Sequence, residues 1–144
     1  GPLKEKLQEY IQSKKLNNIE MLGFKSGQEL TDIVSNAKAV ILPSEWYENG
    51  PYSAIEALQV GRPIVGADIG GIPELVKENG VLFASGNSED LKEKLLYMES
   101  LSVSDYEEMK KKSSILFSEQ YTWESHYRKL LVAYSKAIEG KRKL

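Results

Sequence analysis

The chain alternates short apolar runs with amphipathic stretches, and their spacing predicts what each forms. Leu3, Leu7, Tyr10 and Ile11 recur at helical spacing, so residues 3–15 are expected to open as an amphipathic helix. "IEMLGF" at 19–24 reads as a short strand. Ser26 and Glu29 have the spacing of a capping box, and "ELTDIVSNA" after them reads as a helix. "KAVILP" at 38–43 is a compact apolar run whose closing Pro43 favours a buried strand. Pro51 at a first helical position and Gly61 just past the end bracket a helix at 51–60. "PIVGA" at 63–67 is the next buried strand. Pro73 starts a short helix that Gly80 stops, and "VLF" at 81–83 is a last short strand. From there the chain reads as helical: 88–99, then 104–118 behind a Ser104-to-Glu107 capping box, then 123–139 behind Thr122.

Strands that alternate with helices, and are apolar throughout, predict an α/β fold with a Rossmann-like parallel sheet covered on both faces. The 144 residues suit a single domain with its own core, with 104–144 as a C-terminal helical segment. The tail "EGKRKL" is expected to be a frayed, cationic helix end.

Composition narrows the classes of function. Lys plus Arg is 19 and Asp plus Glu is 21, a net charge of −2, which gives no bulk attraction to nucleic acid or an anionic surface. There is no cysteine, so disulfides and thiolate metal sites are excluded, and a cytoplasmic location is expected. No apolar run approaches the ~20 residues of a membrane span, and no signal peptide is visible. Gly1-Pro2 reads either as a tag remnant or as native sequence.

The candidate chemistry lies in "PSEWYENGPYSAIEALQVGRPIVGADIGGIPE", where Glu48 and Glu56 stand eight residues apart around a helix start. In open parallel sheets, ligands sit beyond the carboxyl ends of the strands. A helix N-terminus there offers unpaired N–H groups and a positive dipole end to an anion. Pro51 removes one donor, while Tyr52, Ser53 and Ala54 are expected to keep theirs, with Gly50 permitting the turn. Carboxylates repel phosphate but accept well from sugar hydroxyls. The combination suits a ligand with hydroxyls at both ends and phosphate between, such as a nucleotide sugar. Against this, Glu48 also reads as a solvated loop residue and Glu56 as a surface helix residue. Spacing alone leaves that choice open.

In order along the chain, Pro43-Ser44, Glu48, Glu56-Ala57, Gly61-Arg62-Pro63-Ile64-Val65 and Gly70-Gly71-Ile72-Pro73-Glu74 resemble a known pattern. It is that of the C-terminal, donor-binding domain of retaining GT-B glycosyltransferases of the family 4, or group 1, type. "NGVLF" and "YTWESHYRKLLVAY" extend the likeness over most of the chain, and Asn49-Gly50-Pro51-Tyr52 looks like a Glu-Asn-x-Pro variant of the loop. The resemblance implies transfer of a sugar from a nucleotide sugar to an acceptor with retention, as in polysaccharide biosynthesis. It implies Glu48 as the catalytic residue on the donor sugar and Glu56 on the ribose. Asn49, Gly50, Pro51, Tyr52, Ser53 and Ser44 would hold sugar and diphosphate, with Gly70 and Gly71 packed beside them. Phe24 and Lys25 would lie near the base. No cofactor and no metal are expected, in keeping with the lack of an Asp-x-Asp signature.

The same resemblance implies missing parts. The family's first two strands of this domain, its Arg/Lys phosphate loop and its N-terminal acceptor domain have no counterpart in the chain. Neither Lys25 nor Arg62 stands at the motif position. The chain alone is therefore expected to be inactive and to repair exposed strand edges by self-association or rearranged pairing. Peripheral association of a longer protein with the inner face of a membrane is left open. Alternatives are a non-catalytic nucleotide-sugar-binding or assembly domain of this fold and, less favoured, a sugar-nucleotide epimerase. His126 is expected at a surface or in packing, Trp123 as a helix-packing anchor, and Lys110 to Lys112 as a solvated face. Trp46 and Tyr47 either meet a sugar face or pack.

Overall fold

Three parallel strands carry the fold: β1 (Val40–Leu42), β2 (Ile64–Ala67) and β3 (Gly80–Phe83), in the order β1-β2-β3. The computed structural model describes residues 1–141, with Gly140 and Lys141 described by backbone alone. Residues 142–144, the end of the expected cationic tail, lie outside the described residues. Val40, Ile41 and Leu42 stand opposite Ile64, Val65 and Gly66, and the β2 residues in turn face Gly80 to Phe83.

Helices are α1 (Lys4–Ser13), α2 (Gly27–Asn36), α3 (Tyr52–Gln59), α4 (Ile72–Leu75), α5 (Ser88–Ser100), α6 (Val103–Gln120) and α7 (Trp123–Lys141). Alternation along β2 feeds two cores. Ile64 packs with Leu42, Leu58, Ile72 and Leu75 on the side where α3, α4 and the Leu116–Phe117 part of α6 lie. Val65 and Ala67 pack with Phe83 and Met98 on the α5 side. Each large apolar side chain so buried contributes about 1.5–3 kcal/mol, and these clusters hold the C-terminal strand ends in place.

Glycines set the closest approaches. Gly61, at φ +65°, ends α3: its N–H donates to the Leu58 carbonyl and that of Arg62 to the Ala57 carbonyl, a Schellman closure. A Cβ on Gly66 would lie 2.6 Å from Ile72 Cγ2, so its absence seats α4 against the sheet. Gly80, expected to stop the fourth helix, instead opens β3, where a Cβ would collide with the Ile64 carbonyl oxygen.

Several expected boundaries move for identifiable reasons. Residues 19–24 form no strand: Gly23 takes φ +73°, which breaks an extended run, and no strand lies beside them to pair with. Ile19, Met21 and Leu22 stay exposed there, as do Leu3 and Leu7 on α1. Ser26 is the N-cap of α2, but its side chain makes no cap bond, and the Glu29 carboxylate, which would return the second bond of a capping box, pairs with Lys25 instead. Helix α6 starts one residue early, capped by Ser102, whose Oγ accepts from the Asp105 N–H at 3.1 Å; Ser104 is inside the helix. Pro51 is the N-cap of α3, with ψ 130°, rather than its first helical residue. Trp123 anchors nothing: it is 87% exposed, with the His126 ring edge-on at 6.4 Å. The lysine run is only partly a solvated face, since Lys110 pairs with Glu107, and Lys112 bridges Glu78 and Glu108.

Candidate functional site

The loop between β1 and α3 lies beyond the carboxyl ends of the strands, and two glycines fix its course. Gly70, at φ +59°, and Gly71 come so close to residues 47–49 that no side chain fits between. A Cβ on Gly70 would lie 2.7 Å from the Glu48 carbonyl oxygen, and one on Gly71 would collide with that of Asn49. The Gly71 N–H donates to the Glu48 carbonyl at 2.6 Å, which locks the two turns together. Gly50, expected to supply the turn, has no positive φ and open space where a Cβ would stand. The conformational demand on glycine is at 70 and 71.

Within that locked loop the Glu48 carboxylate is held from one side. Its Oε1 accepts from the Trp46 indole N–H at 3.0 Å and from the Ser44 hydroxyl at 3.4 Å. Ser44 is tied in turn by its carbonyl, which accepts from the Ser85 hydroxyl at 3.0 Å in the loop after β3. Among the described residues no donor reaches Glu48 Oε2. Trp46 and Tyr47 do not pack into the core; both rings stand in solvent.

The start of α3 presents unpaired backbone donors. The N–H groups of Tyr52 and Ser53 have no acceptor among the described residues. Ala54 was expected to keep its N–H free, but it donates to the Pro51 carbonyl at 3.0 Å, a tight first turn that follows from Pro51 sitting at the cap. Two aligned N–H groups and the dipole of an eight-residue helix remain to face an anion.

Glu56 has a different setting. Its carboxylate makes no hydrogen bond or ion pair among the described residues and lines a groove of about 290 Å³ between α2 and α3, with Gly27, Gln28, Thr31 and Gln59. The groove is open to a hydroxyl-bearing ligand at the N-terminus of α2. Lys25, just before that helix, is occupied by Glu29, and Phe24 is 92% exposed on the unpaired segment. Arg62 lies at the other end of the sheet, just before β2. There its carbonyl accepts from the Ser113 hydroxyl, and its guanidinium donates to the Tyr106 hydroxyl at 3.4 Å. It clasps α6 and takes no part in this site. No helix among the described residues is long and apolar enough to cross a membrane.

Residues 1–116 match the family described as Glycosyl transferases group 1. The chain belongs to that family. It is 30% identical over 129 residues to an uncharacterized glycosyltransferase of Methanocaldococcus jannaschii, a match that takes in 86% of this chain and 35% of the relative. It is 33% identical over 103 residues to a putative colanic acid biosynthesis glycosyltransferase of Salmonella typhimurium, over 66% of this chain and 25% of that one. Among solved structures, an Anabaena protein crystallised in complex with UDP superposes with a TM-score of 0.79 at 21% identity, over 92% of this chain and 36% of its own length. The three-stranded parallel sheet layered with helices is Rossmann-like, and the solved structures it matches are GT-B glycosyltransferases, of which it covers only part. The chain spans about a third of the length of the first of these relatives.

The indole of Trp46 is what sequence reading missed, although its position two residues before an acid was the available signal. Family membership was legible because its motif residues are the ones with strict steric and backbone demands, above all Gly70-Gly71 and Gly61.

Proposed function

We propose that this group 1 glycosyltransferase chain binds the donor, and that the protein carrying it moves a sugar from a nucleotide sugar to an acceptor with retention. The observation that carries the reading is the half-occupied Glu48 carboxylate in the loop that leads into two free N–H groups at the start of α3. In this reading Glu48 Oε2 accepts from a hydroxyl of the donor sugar and sets its position. The Tyr52 and Ser53 N–H groups meet the diphosphate, where negative charge grows as the glycosyl bond breaks. Glu56 accepts from the ribose hydroxyls in its groove, as a carboxylate does in dinucleotide folds.

Support comes from the family match and from the UDP-bound state of the Anabaena structure. The name of the Salmonella relative suggests a surface polysaccharide as the setting. Retention rests on the resemblance to retaining members of the fold. The test is transfer or hydrolysis by the protein carrying this chain, from a panel of UDP-, GDP- and ADP-sugars, with the product's anomeric configuration read by NMR. Turnover with an unchanged configuration is expected. An inverted product would refute retention, and no turnover of any donor would refute the reading.

A further inference from the structure

Trp46 stands out as an aromatic residue that spends its exposed position on a polar contact. The residue is 73% exposed, so it adds little to the core, yet its indole N–H reaches Glu48 Oε1 at 3.0 Å. The Ser44 hydroxyl joins the same oxygen at 3.4 Å, and Ser44 is itself anchored through its carbonyl to Ser85. Two donors on one oxygen leave the other as the only unsatisfied face of the carboxylate. A hydrogen bond to a charged acceptor is stronger than a neutral one and has a preferred direction. It therefore holds the carboxylate plane against free rotation about the side chain. The backbone beneath is already fixed by the Gly71 N–H on the Glu48 carbonyl.

We propose that Trp46, with Ser44, is a positioning residue that orients Glu48 so that Oε2 faces the donor sugar. The inference rests on the functional reading above and deepens it, because it names what makes one carboxylate oxygen selective for the sugar hydroxyl. Trp46 acts through Glu48, and its contribution lies in the N–H rather than in the ring. That separates it from simple stacking of an aromatic on a sugar face, which any ring would supply.

Trp46→Phe keeps the ring and deletes the donor. Since the ring is largely in solvent, the fold is expected to survive, and circular dichroism checks this. Calorimetry with UDP and with the UDP-, GDP- and ADP-sugar panel then reads the effect. Affinity for the nucleotide sugar that binds is expected to fall about three- to tenfold, while affinity for its nucleoside diphosphate, which lacks the donor sugar, stays unchanged. A second arm needs no ligand. In ¹H–¹⁵N spectra the Trp46 indole signal, identified by its loss in Trp46→Phe, should move upfield in Glu48→Ala, while that of Trp123 stays in place. An unmoved indole signal, or a Trp46→Phe chain that binds the nucleotide sugar as well as the parent, overturns the inference and leaves the functional reading standing. A parent chain that binds no nucleotide sugar while the indole signal shifts as expected overturns the functional reading, and the clamp's purpose with it.

Discussion

Glu48 and Glu56 share a sequence spacing and have unlike surroundings. Glu48 is gripped by Ser44 and Trp46 in a loop locked against Gly71, whereas Glu56 stands unpaired in the groove beside α2. If they hold opposite ends of one ligand, their losses are separable. Glu48→Gln should cut transfer by about two orders of magnitude, the scale of a lost charge-stabilising contact at a reacting centre, and leave nucleoside diphosphate affinity intact. Glu56→Gln should weaken nucleoside diphosphate and nucleotide sugar alike, by about three- to tenfold. Calorimetry and transfer assays check both, and equal effects of the two on UDP would contradict the division. At this scale the candidate site could be read as a set of residue types in order. The individual contacts were less so: the demand for glycine falls at 70 and 71 rather than at 50, and Ala54 uses its own N–H. Such contacts depend on which turns come to lie against each other, and spacing does not specify that.

Elements were readable where the signal is local. The Gly61 stop is a closure within one turn, and the apolar runs at β1 and β2 needed no partner to be recognised. The strand expected at 19–24 failed because pairing is non-local: its apolar residues are present, but no neighbouring strand is. Caps fall between these cases, since Ser102 and Ser104 both offer a hydroxyl and only the observed start of α6 chooses Ser102. The junction of β3 and α5 gives this scale its pH dependence. The Asp90 carboxylate accepts from the Ala84 N–H at 2.6 Å, and that bond, with the nearby Lys94, holds its pKa below the usual aspartate value despite some desolvation. A lowered folded-state pKa stabilises the fold above the ordinary aspartate range, and that share is lost as pH falls through the lowered value. Glu78, lowered mainly by its hydrogen bond to Lys112, acts in the same direction. Denaturation midpoints across an acid pH series should fall, and more shallowly in Asp90→Asn. An unchanged slope in that variant would contradict the assignment.

The whole molecule has a finished half and an open half. Ile64, Val65, Leu58 and Ile72 are fully buried in the two cores, while α1 and residues 19–24 leave Leu3, Leu7, Met21, Leu22 and Phe24 exposed. Exposed apolar surface of this kind favours association. The chain on its own is expected to self-associate, seen as a concentration-dependent sedimentation coefficient, with Met21→Lys and Leu22→Lys together restoring the monomer. A monomer at all concentrations for the parent chain would contradict this. The central claim is that nucleotide sugar is bound where the Glu48 loop meets the start of α3, and amide NMR tests it most directly. Titrating a UDP-, GDP- or ADP-sugar into the ¹⁵N-labelled chain should shift the Tyr52, Ser53 and Gly71 amides and the Trp46 indole together. Shifts confined to other surfaces, such as the crevice of Lys77, Asn79 and Lys112, or no shifts with any donor, would contradict it.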